Sequence, residues 1–207
     1  VLLAGSGIPG TDRASTTPRY RMRSARFNAT EGELLLTLQV ANFHHRRGGM
    51  WRPIELGTVE AIESKGVMET TYDLLLIGSF AAMAIYNLLL HYLSGNRARG
   101  PLFLALLFAT LFFRIPMMGQ MIVTRLLPKF PWALQLRIEY VTAQLALLTI
   151  TWTLWVIYPT LLSRRFTRGV TLFVLINVAL VTAGTVYFYS LIVRYSVYTM
   201  IMLLFYQ

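Results

Sequence analysis

Beyond residue 70 the chain runs in apolar stretches of about twenty residues, each closed by a short polar one. As a helix rising ~1.5 Å per residue, that length crosses the ~30 Å hydrocarbon core of a bilayer. The pattern predicts membrane spans over residues 71–93, 101–123, 138–158 and 170–190, with a fifth over 193–207 that is expected to be cut short. The breaks are explicit. Ser94, Gly95 and Asn96 precede Arg97, Arg99 and Pro101, and a later break holds Pro159, Arg164, Arg165 and Arg168. Between them, residues 124–136 carry Pro128, Pro131 and Trp132, which predicts an interfacial loop with an aromatic anchor.

Before residue 70 the period changes. Leu34, Leu36, Leu38 and Val40 alternate with Thr37 and Gln39, the period of two of a half-buried strand. Residues 20–27 alternate more weakly, and residues 52–62 are a third candidate strand with Gly57 as a bulge. Glu31, Gly32 and Glu33 suggest a turn, Gly48 and Gly49 another, and residues 1–19 are loop-like in their Gly, Ser, Thr and Pro content. Three short strands seldom make a stable sheet alone. Residues 1–66 therefore read as the C-terminal part of a larger antiparallel β-sandwich, and residues 67–207 as a transmembrane region. The predicted fold class is a mainly α, polytopic membrane bundle preceded by a partial β-sandwich.

Composition agrees. Mean hydropathy is +0.55 and charged residues make up only 14%, of which residues 1–70 hold 16 side chains out of 28; soluble domains carry about 25%. A net charge of +10 would suit nucleic acid, but the basic residues flank apolar spans or lie scattered in the N-terminal part, so none is expected. Within residues 55–70 Lys65 is the single basic residue, whereas Arg97 and Arg99 follow the first span. The positive-inside rule then puts the N-terminal segment outside the cytoplasm. The absence of cysteine excludes disulfides and thiolate sites. The chain opens without Met and closes on apolar Leu203, Leu204 and Phe205, so both ends read as truncated.

Candidate chemistry is sparse. His44 and His45 are adjacent, and neighbours on a strand face opposite ways, so they do not chelate one metal ion. Asn42, His44, Arg47, Trp51 and Arg52 instead suggest a binding patch for a small carbohydrate or carboxylate, with the indole covering an apolar face and the donors fixing orientation. The plainer alternative packs Met50 and Trp51 at the membrane surface. In the second span Arg114 needs a protein-facing environment, and Pro116 frees carbonyls for it. Glu139, near the start of the third span, is its candidate partner. Thr142, Thr149 and Thr153 share one face, as do Asn177 and Gly184, a pattern of helix contacts more than of a transport path. His91 reads as interfacial. No nucleophile–base set, phosphate loop or carboxylate pair is present, so no enzyme activity or cofactor is expected of these residues.

Two stretches carry a family resemblance. One runs Val40, Ala41, Asn42, Phe43, His44, His45, Arg46, Arg47, Gly48, Gly49, Met50, Trp51, Arg52, Pro53, Ile54, Glu55, Leu56, Gly57; the other is Arg137, Ile138, Glu139, Tyr140. With the order of β-segment then helices, the chain resembles the bacterial seven-transmembrane receptors with diverse intracellular signalling modules. The resemblance covers residues 20–207. It implies a periplasmic jelly-roll domain, seven helices in the inner membrane and a cytoplasmic effector, of which the effector and the last helices fall beyond residue 207. The implied function is to relay an external ligand signal inward, in contact with lipid and with a homodimer as the candidate assembly. The alternative is a transporter or channel component with an external β-domain; a third reading is a membrane-anchored binding module.

Overall fold

The computed structural model describes residues 3–28, 34–45, 49–50, 52–95, 97–160, 162–191, 195 and 198. It is a helical membrane bundle. Five α-helices lie wholly within the described residues: α1 (Val59–Leu93), α2 (Arg99–Arg114), the short α3 (Ile122–Leu126), α4 (Trp132–Ile157) and α5 (Arg164–Ala183). A 3₁₀ turn over Ile115–Met117 prolongs α2. Among the described residues four helices are long and apolar enough to cross a membrane: α1, α2 with its 3₁₀ turn, α4 and α5. Residues 186–191 are helical again, and the expected fifth span at 193–207 lies almost wholly outside the described residues.

The four expected spans are present with shifted limits. The largest shift is in α1, which begins at Val59, twelve residues before the apolar run does. Thr58 is extended and its Oγ1 accepts the Ala61 N–H at 3.3 Å, while Glu60 sits in the positive first turn. The strand expected over 52–62 is therefore corrected: residues 59–62 are the first turn of a helix. The helix has 35 residues. At ~1.5 Å each it is ~50 Å long against a ~30 Å core. Its first turns, bearing Glu60, Glu63, Lys65 and Glu69, project beyond the apolar run as a polar stalk.

The described residues of 20–27 and 34–43 form no strand. Among the described residues a single β-bridge joins Ile8 and Thr17 around a turn fixed by Asp12, whose Oδ1 accepts the Ser15 N–H at 2.8 Å. An extended segment needs a neighbour for its backbone groups. Among the described residues 34–40 find none, and the face of Leu34, Leu36, Leu38 and Val40 is 40–52% exposed.

The spanning helices pack in a row, α1 on α2, α2 on α4 and α4 on α5. Leu147, Val170 and Val174 form the buried core between α4 and α5, joined by Leu148, Phe166, Phe173 and Val178. Trp152 Nε1 donates to Thr171 Oγ1 at 2.9 Å across that interface, and the Trp152 ring meets Phe103 of α2 on its other side. Thr142, Thr149 and Thr153 are buried as expected of a packing face, each hydroxyl donating to a carbonyl of its own helix at 2.7–2.8 Å. Asn177 does the same to Phe173 O at 2.8 Å. At the far end of α1, His91 Nδ1 lies 2.8 Å from Ala98 O and ties the turn into α2.

Residues 118–121 interrupt the second expected span. Pro116 supplies no N–H, so the helix tightens to a 3₁₀ turn and stops. Gly119 (φ 52°) and Met121 (φ 51°) then take left-handed backbone. Irregular backbone at membrane depth survives where protein surrounds it. Met117, Gln120, Met121, Ile122 and Thr124 are all buried. The Gln120 N–H donates to Asp73 Oδ2 at 2.8 Å, and Gln135 Nε2 donates to Met117 O at 3.1 Å. A Cβ at Gly119 would lie 2.5 Å from an Asp73 carboxylate oxygen. Gly119→Ala is accordingly expected to cost at least the ~1–2 kcal/mol of a left-handed non-glycine residue, read as a lower unfolding midpoint in detergent. Gly78→Ala, in mid-helix with nothing within 4 Å of its added Cβ, should be neutral or stabilising by up to ~1 kcal/mol.

Candidate functional site

The bundle has two ends. The one carrying the stalk of α1, the break after α2, the start of α4 and the end of α5 is the proximal end, where Arg19, Arg26, His44, His45 and Arg52 of the N-terminal segment dock. Most of the polar chemistry of the molecule gathers there.

Its first part centres on Glu69. Arg52 Nη1 donates to Glu69 Oε2 at 2.9 Å, and the same oxygen accepts from Gln120 Nε2. Gln120 Oε1 accepts from Arg125 Nη2, while Arg125 Nη1 donates to Thr70 Oγ1 at 3.0 Å. One acidic side chain thereby joins three pieces of chain: the N-terminal segment, the stalk of α1 and the loop after α2. Lys65 also pairs with Glu69 at 4.0 Å, and two pairs outside that cluster run along the stalk, Arg26 with Glu63 and Lys65 with Glu55 at 2.7 Å. Each is exposed, and such pairs contribute at most ~1 kcal/mol. The Glu69 cluster has the better geometry, since its members also bond one another.

The second part lies against α4. His45 Nε2 is 2.9 Å from the Tyr140 hydroxyl and the two rings stack. Tyr140 meets Tyr189 edge-on, at 5.3 Å between centroids, and Tyr189 is fully buried. The His44 ring packs edge-on against Trp132, 5.9 Å away. Arg19 donates to Pro128 O at 3.1 Å. The Tyr20 phenol is held well above its ordinary value, first by burial and then by Glu139 and Tyr140, with Arg52 opposing. Tyr20 therefore stands where the two parts of the junction meet.

Arg114 and Glu139 come together, with different atoms in contact from those the charges suggest. Arg114 Nη1 donates to the main-chain carbonyl of Glu139 at 2.5 Å. The Glu139 carboxylate is near enough for electrostatic attraction, yet its Oε2 is buried with no hydrogen-bond partner in the protein. Glu139 is 7% exposed. A Lys would satisfy this carbonyl as a point charge; the guanidinium reaches it from a helix end while keeping further donors free.

The patch expected at Asn42, His44, Arg47, Trp51 and Arg52 does not assemble from its described members. Asn42 Oδ1 accepts the His45 N–H within its own loop at 3.3 Å, His44 turns to α4 and Arg52 to α1. Arg47 and Trp51 lie outside the described residues. Among the described residues no three His, Asp or Glu side chains gather as a metal site. Trp132, expected in a loop, is the first residue of α4 behind Pro131 as N-cap. Sequence reasoning missed Glu69, Asp73, Gln120, Arg125, Tyr140 and Tyr189. One signal was there to be used: Asp73 and Glu139 are the only acidic residues after position 70, and both fall at this end.

No protein-family profile matches the chain, and neither the curated proteins nor the solved structures contain a similar one.

Arg114→Leu should destabilise the bundle by about 3–5 kcal/mol, because it leaves Glu139 as an uncompensated buried charge. Glu139→Gln should cost less alone and should rescue part of the Arg114→Leu loss. Detergent unfolding of the two single variants and the double variant gives the coupling, expected at about 0.5–3 kcal/mol. Additive losses would show that the two side chains act independently.

Proposed function

We propose that the chain is the membrane part of a bacterial inner-membrane sensor, in which a periplasmic segment passes its state to a helical bundle and so to a cytoplasmic effector. The observation that carries this reading is the docking of the N-terminal segment on the proximal end, Arg52 on Glu69 of α1 and His45 on Tyr140 of α4. α1 is one uninterrupted helix from the polar stalk to the distal turn at Ser94. A rigid rod of this kind converts a shift at the stalk into a shift at the far end, which a mere anchor would not require. A small ligand that bound one docked arrangement better than another would bias the packing by that difference in affinity. The Asn42, His44 and Arg52 loop, with Arg47 and Trp51, is where a carbohydrate or carboxylate would act, by competing for the groups that now bond α1 and α4. The alternating Leu34, Leu36, Leu38 and Val40, whose face is exposed, support a β-sandwich completed by further strands. Arg97, Arg99, Arg164, Arg165 and Arg168 at the distal end support a cytoplasmic side there.

A second reading, a transporter, has one observation in its favour. The backbone is broken at residues 118–121, with Gln120 and Met121 buried and the Gln120 N–H on Asp73, and transporters use such breaks for substrate and ion sites.

The cysteine-free chain suits labelling. A cysteine at Ser24 should react with an impermeant maleimide in intact cells, and one at Thr160 only after permeabilisation; the reverse pattern would contradict the proposed orientation. In lipid discs, Glu69→Ala should change hydrogen exchange at residues 94–98 and 158–163 as well as in residues 3–58. A change confined to the proximal end would leave only an anchor. Proteoliposomes should show no solute flux above protein-free controls; clear flux would favour the transporter.

A further inference from the structure

A groove of about 350 Å³ opens on the outside of the α4–α5 pair at the proximal end, lined by Leu134, Arg137, Ile138, Val141, Thr142 and Thr182. It lies on a different part of α4 from the docked N-terminal segment. We propose that this groove binds an anionic phospholipid, with its phosphate at Arg137 and the upper part of an acyl chain along Leu134, Ile138 and Val141. The proposal needs only that the helices span a membrane and is independent of the sensor reading.

Depth is the first support. α4 has 26 residues, ~39 Å at ~1.5 Å each, so it overreaches a ~30 Å core by a few residues at each end. Arg137 is its sixth residue, ~8 Å from the proximal tip. Helical side chains lean toward their own N-terminus, which carries the guanidinium further toward the headgroup layer. Ile138, Val141 and Thr142 lie at or below that level, where acyl chains begin.

Charge is the second. Arg137 Nη2 donates to Gly184 O, the C-cap of α5, at 3.3 Å. Its Nε is buried and has no hydrogen-bond partner in the protein. None of the ion pairs among the described residues includes Arg137. The two carboxylates of the membrane region are otherwise placed. Asp73 accepts the Gln120 N–H on the far side of the row, and Glu139, two positions along the same helix, points away from Arg137 toward Arg114. A cation at the edge of an apolar groove with no carboxylate of its own is complementary to an external anion that brings hydrocarbon with it.

The groove also indicates how selective the site is. Thr142 Oγ1 donates to Ile138 O and Thr182 Oγ1 to Val178 O, at 2.7 and 2.9 Å. Neither hydroxyl is left to donate to the ligand. Recognition rests on one guanidinium and on apolar contact, so the site should read negative charge and chain, with little discrimination among anionic headgroups.

The test compares phosphatidylglycerol with phosphatidylcholine of identical chains, added to the detergent-purified protein. Lipid retention by native mass spectrometry and the rise in unfolding midpoint are both read. The unaltered chain should prefer phosphatidylglycerol by about fivefold, as expected for one Arg at an anionic surface. Arg137→Gln should abolish the preference, and Arg137→Lys should keep most of it. Val141→Trp, which fills the groove and leaves the charge, should also abolish it. Because Arg137 also caps α5, the readout is the difference between lipids and not absolute stability. An unchanged preference in Val141→Trp would assign the effect to general surface charge and overturn the groove. Retention of oleate in place of phosphatidylglycerol would overturn the phospholipid assignment.

Discussion

A charged side chain at membrane depth must be answered by protein, and the arrangement of this bundle follows from how its few charges are answered. Arg114 reaches the Glu139 carbonyl and so fixes α2 against α4 at one height. Asp73 takes the Gln120 N–H and so fixes the loop after α2 against α1. These two contacts hold the three central elements at the proximal end. The remainder of the row is held by apolar and aromatic packing, Phe80 on Phe108 and Phe103 on Trp152, and by the Leu147, Val170 and Val174 core. Lipid offers apolar groups as good a neighbour as protein does, so polar contacts specify register where apolar ones alone would not.

The same constraint explains why the N-terminal segment docks where it does. The loop after α2 has backbone and side-chain groups that lipid cannot satisfy, and they are met by Glu69, Asp73 and Thr70 from α1. Glu69 still has capacity to accept Arg52. Tyr140, one residue beyond Glu139, offers its hydroxyl to His45. A break in one helix thus creates a polar surface, and the surface collects the N-terminal chain. In the proposed sensor this surface is the point at which a ligand's effect would enter the bundle, and Arg137 stands beside it at the lipid boundary.

Much of this was legible in the sequence. Apolar run length gave four of the expected spans in their order because lipid imposes a length, and Arg114 stood out because a lone mid-span charge has few permitted environments. The limits of α1 were not legible, because an apolar run marks the membrane and says nothing of where a helix continues into water; Thr58 as N-cap carried that information. The end of α2 was signalled by Pro116 but placed too late, since apolar residues 117–123 continue the run while the backbone turns. The Arg114 contact was misjudged in its atoms, because spacing pairs charges and is blind to carbonyls. Residues 34–43 carry a strand period that forms no strand among the described residues, since periodicity reports a face and not the partner that must cover it. The junction around Glu69 was invisible because its members are 52, 69, 120 and 125, brought together only by the fold.

The central claim is that the described part of the N-terminal segment is held in one position on the proximal end by the Glu69 junction and the Tyr140 contact. The most direct measurement is a pulsed electron-spin distance between labels at Ser24→Cys and Lys129→Cys in lipid discs. The account predicts one narrow distance population that broadens when Glu69→Ala is added. A broad distribution in the otherwise unaltered chain, or a narrow one indifferent to Glu69, would contradict it.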